Sequence, residues 1–286
     1  MDKETLHKVQ FTQLEIAKEI AKVCEKNGIK VFLDSGSLLG AIRHKGFIPW
    51  DDDLDMGMLR EDYDKFCAIA DKELGEKYHL QTWDNDCNYA LPLGKVRKVG
   101  TVYVESRAGR SKENGIYVDI LPYDFAPNRA FDRVLFRRQL VVLYAGILLK
   151  CGYKPWIVQG KVDRKVHLHF AIYKLITLFI SRDALIKKYK NIIASPQDRN
   201  YVYEQTCNKY YPIEWFDDII KVPFEDTYMP VISKYHEWLT TAYGDYMTPP
   251  PEEERENRHE ILEVSFGEAA PGNDYVREEL KSVCQK

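Results

Sequence analysis

Residues 32–58 read FLDSGSLLGAIRHKGFIPWDDDLDMGM, and this stretch decides the fold. Lys30 to Asp34 reads as a short strand that meets Gly36-Ser37 and passes at once into a helix-prone LLGAIRHK. Gly46 to Trp50 is a turn, after which Asp53 to Met58 alternates acid and apolar as a half-buried strand does. Strand side chains alternate faces, so Asp53 and Asp55 project the same way, about 7 Å apart along the chain. Like charges that close are unfavourable unless a cation sits between them. Leu54, Met56 and Met58 would bury the strand's other face, which separates this stretch from a solvated acidic turn. Hard oxygen ligands in a short rigid pair suit Mg²⁺ or Mn²⁺ holding a substrate phosphate.

Two further features work with this pair. Gly36-Ser37 sits where a strand ends and a helix begins, where backbone N–H groups can approach an anion and the helix N-terminus favours negative charge. Alone, Gly-Ser after a strand is an ordinary turn. Neither GxxxxGK[ST] nor GxGxxG occurs, which excludes the P-loop and the Rossmann fingerprint. Further on, Tyr117-Val118-Asp119-Ile120-Leu121 sets one acid among bulky hydrophobes. Burying it needs a partner. A lysine, a metal, or a hydroxyl whose proton it takes would each supply one.

Outward from this region the elements fall into order. Leu6, Val9, Ile16, Ile20 and Val23 recur at helical spacing, and Asn27-Gly28 stops that helix. Arg60 to Leu74 is helical, and strands follow at Tyr78–Trp83, Lys95–Glu105 and Ile116–Leu121. From Arg129 to Lys190 the chain turns into apolar helices studded with Lys and Arg; the last third is aromatic and ends in an acidic tail predicted to be helical. This order implies an α+β core with an all-helical insertion. The divisions are residues 1–128 for the core, 129–200 for the basic insertion and 201–286 for a C-terminal part packing on the core.

Composition bounds the function. With 45% hydrophobic residues the 286-residue chain can bury a substantial core, so disorder is excluded. The net charge of −3 gives no overall basic footprint of the kind that marks a nucleic-acid binder. The mean hides an asymmetry: residues 129–190 hold fourteen Lys+Arg against three Asp+Glu, a local +11 that leaves −14 for the rest. The six cysteines form no CxxC pair and read as reduced, mostly buried thiols. Met1-Asp2-Lys3-Glu4 has no apolar stretch behind it and reads as no signal peptide. The longest uninterrupted apolar run, Leu140 to Leu149, falls short of the ~20 residues a spanning helix needs. The expectation is a cytoplasmic protein whose contact with a membrane, at its inner face, would be peripheral.

These residues carry a resemblance. Residues 32–58, GIYVDILPYD at 115–124, VPFEDTYMPV at 222–231 and YGDYMTPPPEEER at 243–255 resemble the LicD family (the LicD/fukutin group), a branch of the nucleotidyltransferase superfold. The likeness spans nearly the whole chain. It implies a nucleotidyltransferase-like mixed β-sheet core with flanking helices. It places the family pattern on Gly36-Ser37, on Asp53 and Asp55, and on Asp119. It also implies transfer of a phospho-group, phosphocholine or an alditol phosphate, from a CDP-linked donor to a hydroxyl of a cell-surface glycan or its lipid-linked precursor. On this reading Asp53, Asp55 and Asp119 are catalytic and hold Mg²⁺ or Mn²⁺, and Asp119 or an adjacent carboxylate orients the attacking hydroxyl. Arg43 and Lys45 beside the phosphate turn, with Lys95 and Arg97 one strand later, become diphosphate clamps. Trp50 either stacks on the cytosine or braces the turn before the aspartates. Two departures stand out: relatives often end the last stretch with two histidines where this chain has Arg258-His259, and no His/Cys cluster has zinc spacing. Two other readings stay open, transfer of a nucleotide onto a small molecule or protein, and a non-catalytic glycan- or membrane-binding relative. The basic insertion either docks on an anionic membrane or packs on the acidic remainder.

Overall fold

A computed structural model describes residues 1–106, 109–153, 164–195, 198–257 and 259–267. The predicted helical tail lies outside them. The N-terminal stripe folds as helix α1, Lys3–Asn27, which buries Leu6, Val9, Ile16, Ile20 and Val23. It stops at Gly28, whose φ of 64° is a left-handed conformation that a side chain would strain.

The central stretch gives β1 (Phe32–Leu33), α2 (Ser35–Arg43), β2 (Asp55–Leu59) and α3 (Arg60–Glu73). After it come β3 (Tyr78–Gln81), β4 (Gly94–Lys98), β5 (Val102–Glu105) and β6 (Tyr117–Ala126). The main sheet runs β1-β2-β6-β4-β3. Strands β2 and β6 are parallel, and the other neighbours on this path are antiparallel. This is the mixed sheet of an α+β fold, as the sequence implied. Leu54, Met56 and Met58 are fully buried, and so are Val118 and Ile120 on β6.

Two details differ from the sequence reading. Asp53 precedes β2, so the strand expected from Asp53 begins two residues later, at Asp55. The cause is α1: Gln10 Nε2 donates to the Asp51 carbonyl at 2.8 Å and Gln13 Nε2 to the Asp52 carbonyl at 3.0 Å, which draws these backbone groups away from the ladder. The single strand expected over Lys95–Glu105 is two strands. The chain turns at Gly100 (φ 84°), and β5 leaves the sheet to pair with β11 (Ile261–Ser265).

The basic segment supplies α4 (Ala130–Lys150), α5 (Arg164–Ile176) and α6 (Arg182–Ile193). Helices α4 and α6 build a second apolar cluster in which Leu140, Ile147, Leu185 and Tyr189 pack with Trp83, Tyr89, Leu121 and Tyr203. Each such side chain contributes about 1.5–3 kcal/mol on burial, enough to fix the two helices to the core. Strands β7 (Tyr201–Glu204) and β8 (Lys209–Pro212) then extend the sheet along the second half of β6. A hairpin, β9 (Ile219–Phe224) and β10 (Thr227–Ile232), and helix α7 (Tyr235–Tyr243) pack behind β1 and α2. Among the described residues Cys24, Cys67, Cys87, Cys151 and Cys207 are free thiols, and no helix is long and apolar enough to cross a membrane.

Candidate active site

The site is assembled at the ends of β1, β2 and β6. Asp34 caps α2: its Oδ1 accepts from the Ser35 N–H at 2.8 Å and from the Tyr123 hydroxyl at 2.8 Å. Its backbone N–H donates to the Asp55 carbonyl at 3.0 Å, tying the helix start to the acidic strand. Ser35 enters the helix at φ 48°, an uncommon conformation for a residue with a side chain. Gly36 and Ser37 fall in the first turn of α2, whose leading N–H groups lack intrahelical acceptors. A Cβ on Gly36 would lie 2.6 Å from Asp51 Oδ2, so the missing side chain is what lets that carboxylate approach the turn. Ser37 Oγ accepts from the Asp55 N–H at 2.9 Å and thereby locks β2 onto α2.

Asp55 and Asp119 lie in register on the parallel strands β2 and β6, so their side chains are neighbours on one face. Asp119 is held further by its N–H, which donates to the Leu54 carbonyl at 3.0 Å. Asp51, Asp52 and Asp53 each bring a carboxylate oxygen within 4.8 Å of the others. Burial pushes Asp55 well above the usual carboxylate range, and the charges of Asp53, Asp119, Asp34 and Asp51 push it the same way. Asp53 is raised by burial and by Asp52, against the pull of His259 and Lys95. Burial and the charge of Glu204 carry Asp34 up to about 8. Crowded carboxylates that raise one another are what a bound cation would relieve. The donor set is all oxygen, as a hard divalent cation prefers; among the described residues the three carboxylates that converge within 4.8 Å are Asp51, Asp52 and Asp53, whereas Asp55 and Asp119 pair with each other by strand register.

The predicted cations divide. Lys95 Nζ lies 2.8 Å from Asp119 Oδ1 and 3.3 Å from the centre of the Tyr117 ring, with 5% of its side chain exposed. This answers which partner Asp119 takes in the protein alone. Arg97 donates to Gln81 Oε1 at 2.7 Å and to the Gly115 carbonyl at 2.7 Å, both buried contacts that brace the sheet. Arg43 donates to the Tyr246 carbonyl at 2.9 Å and to His44 Nε2 at 3.0 Å, and its own charge adds to burial in lowering His44. Lys45 is exposed at φ 58° in the turn, and its carbonyl accepts from the Glu225 N–H at 2.8 Å. Trp50 is half-buried between the His44 ring at 6.2 Å and the Arg255 guanidinium at 5.4 Å.

Several working residues were not picked out from the sequence. Asp52 is fully buried: Oδ1 meets His259 Nδ1 at 2.9 Å, and its carbonyl accepts from the Tyr103 hydroxyl at 3.1 Å as well as from Gln13. His259 reaches the site because β11 pairs with β5, and it also lies 3.9 Å from Asp53 Oδ2. Burial disfavours the imidazolium, but the hydrogen bond to Asp52 and the charges of Asp53 and Asp52 lift His259 to about 9. Glu105, beside Lys95, is held below its ordinary value by Lys95, His259 and Arg97 in spite of burial. Arg255 comes within the YGDYMTPPPEEER stretch, and its place over Trp50 has no local signature.

The comparisons with known proteins bear on this geometry. The family model described as the LicD/FKTN/FKRP nucleotidyltransferase domain matches residues 28–141, the span from β1 through β6 into α4. The lipopolysaccharide cholinephosphotransferase LicD of Haemophilus influenzae is 31% identical over 272 residues, covering 91% of this chain and 97% of that protein. The chain belongs to the LicD family. A second LicD-family relative, human ribitol 5-phosphate transferase FKRP, is 48% identical over 61 residues, which is 21% of this chain and 12% of that one. Likeness to LicD thus runs through the helical segment and the C-terminal strands, whereas likeness to FKRP is confined to a short stretch.

Proposed function

We propose that this LicD-family phosphotransferase moves phosphocholine, or an alditol phosphate, from a CDP-linked donor to a hydroxyl of a surface glycan or its lipid-linked precursor. What supports this reading is the register of Asp55 with Asp119 across β2 and β6, beside the first turn of α2, with both feeling the charge of Asp53. Phosphocholine is the first choice, because the relative that matches over 91% of the chain is a cholinephosphotransferase. Asp53, Asp55 and Asp119 would hold Mg²⁺ or Mn²⁺. When bound, the cation offsets the charge of the diphosphate and of the departing CMP.

The remaining roles belong to the chain itself. The N–H groups of Gly36 and Ser37 meet phosphate oxygens, with Arg43 at the end of α2 and Lys45 on the turn beyond. Trp50, with Arg255 over it, offers a flat face for the cytosine. Burial raises Asp119, and Lys95 beside it pulls the other way, towards the ionised form. A carboxylate of the group, Asp119 or Asp53, takes the proton of the acceptor hydroxyl while its oxygen attacks the donor phosphorus distal to cytidine. The P–O bond to CMP breaks as the new P–O bond forms, and CMP leaves with the electron pair.

Thermal-shift titration with CDP-choline, CDP-ribitol, CDP-glycerol and ATP, each with and without Mg²⁺, tests the donor. A Mg²⁺-dependent shift with a CDP-linked compound is expected. A shift with ATP alone would replace this reading with nucleotide transfer.

A further inference from the structure

Helix α5 wears its apolar face on the outside. Leu168, Ile172, Leu175 and Ile176 are all exposed, and the stripe continues to Phe179 in the following turn. The spacing i, i+4, i+7, i+8 keeps Leu168, Ile172, Leu175 and Ile176 on one side of α5, and Phe179 follows in the turn three residues past its end. Leu175 is 72% exposed and Phe179 is 96% exposed, where a folded chain gains by covering such side chains. The opposite end of the segment shows the same inversion, since Phe131 and Leu135 of α4 are also exposed. Helix α4 nevertheless has a proper inner face in Phe136, Leu140 and Ile147, so the outer residues are surplus to its packing.

The charge around this stripe is equally unabsorbed. If the basic segment existed to bind the acidic body, its cations would be found on carboxylates there. Among the described residues, Lys190 does this, on Asp84 at 2.6 Å, and Arg199 at the end of the insertion does it on Glu61. Arg182 donates instead to backbone carbonyls of Trp83, Asp86 and Tyr89. Arg138, Lys174, Lys187 and Lys188 are exposed, and none lies within ion-pair distance of a described carboxylate. An exposed apolar stripe within a basic segment, on a helix that cannot cross a membrane, is the pattern of a helix lying in the headgroup region. The +11 segment would be drawn to an anionic surface that repels the −14 remainder, so charge alone sets the orientation.

We propose that the outer face of α5, with Lys174 of α5 and Lys187 and Lys188 of α6, docks the protein on an anionic lipid bilayer. This face takes no part in the chemistry proposed above, so the two readings stand or fall separately. Co-sedimentation with vesicles of phosphatidylglycerol in phosphatidylcholine, against phosphatidylcholine alone, tests it on the full chain. The wild type should pellet with the anionic vesicles and be released as salt rises. Two variants, Leu175→Glu with Phe179→Glu, and Lys174→Glu with Lys187→Glu and Lys188→Glu, should each bind about tenfold more weakly. Both should melt as the wild type does, because the replaced side chains are exposed, and both should release CMP from a soluble donor at the wild-type rate. Absence of anion-dependent pelleting, or pelleting untouched by the Leu175 and Phe179 substitutions, would overturn the proposal. A dimer that these substitutions dissociate would also overturn it, assigning the face to a second copy of the chain.

Discussion

Asp55 is the residue on which the site converges. It faces Asp119 across two parallel strands, Ser37 fixes its backbone N–H, and burial together with four carboxylates, Asp119 among them, raises its proton affinity. Replacing Asp53, Asp55 or Asp119 with Asn should lower turnover by about 10²–10³-fold, and Asp55→Asn should leave the melting temperature at or above the wild-type value. The melting part follows from relief of like-charge repulsion, and a collapsed fold would show that these side chains are structural. Gly36→Ala tests the turn, because its Cβ would meet Asp51 Oδ2. A carboxylate displaced by about 1 Å should reduce the rate of CMP release about 10²-fold. The acids themselves were legible in the sequence, since apolar residues interleaved with charge mark a strand with one wet face. Their supports were not. Gln10, Gln13 and His259 lie 38 to 207 residues from the groups they bond, and polar pairs at that separation leave no periodic trace.

At the scale of elements, the helix and strand order was readable while the pairing was not. The stretch Lys95–Glu105 looks continuous, yet the positive φ of Gly100 sends β5 to β11 instead of to the main sheet. That detour is what delivers His259. A second tie joins β3, α3 and the loop before β6: His79 lies 3.3 Å from Asp71 and 3.2 Å from Glu113. Burial disfavours the imidazolium, but the bonds to Asp71 and Glu113 outweigh it and lift His79 to about 9 from an ordinary 6.5. A raised pKa stabilises the fold fully below 6.5, and that contribution is lost as pH climbs through about 9. Urea midpoints of the wild type should therefore fall more between these limits than those of His79→Gln, and parallel curves would refute the tie. The helical segment is tested by Leu185→Ala, at a fully buried position of the second cluster. It should destabilise the main unfolding transition by about 2–5 kcal/mol. An unchanged main transition, with a separate early one, would mean that α4 and α6 unfold on their own.

On the scale of the whole molecule, the near-neutral net charge divides into a basic segment and an acidic body. The body holds the cluster at residues 51–55 together with Asp119, and the segment holds exposed cations and an outward apolar stripe. Length and composition made that division visible, but only the packing of α4 and α6 shows that the segment is built into the core on one side and bare on the other. The central claim is that Asp55 and its neighbours use a divalent cation to transfer a phospho-group from a CDP-linked donor. Its most direct test is CMP release from CDP-choline, followed with acceptor-bearing membranes present, with and without Mg²⁺, for the wild type and Asp55→Asn. The account predicts release that requires Mg²⁺ and falls about 10²–10³-fold in the variant. Release indifferent to the metal, or an Asp55→Asn protein as active as the wild type, would contradict it.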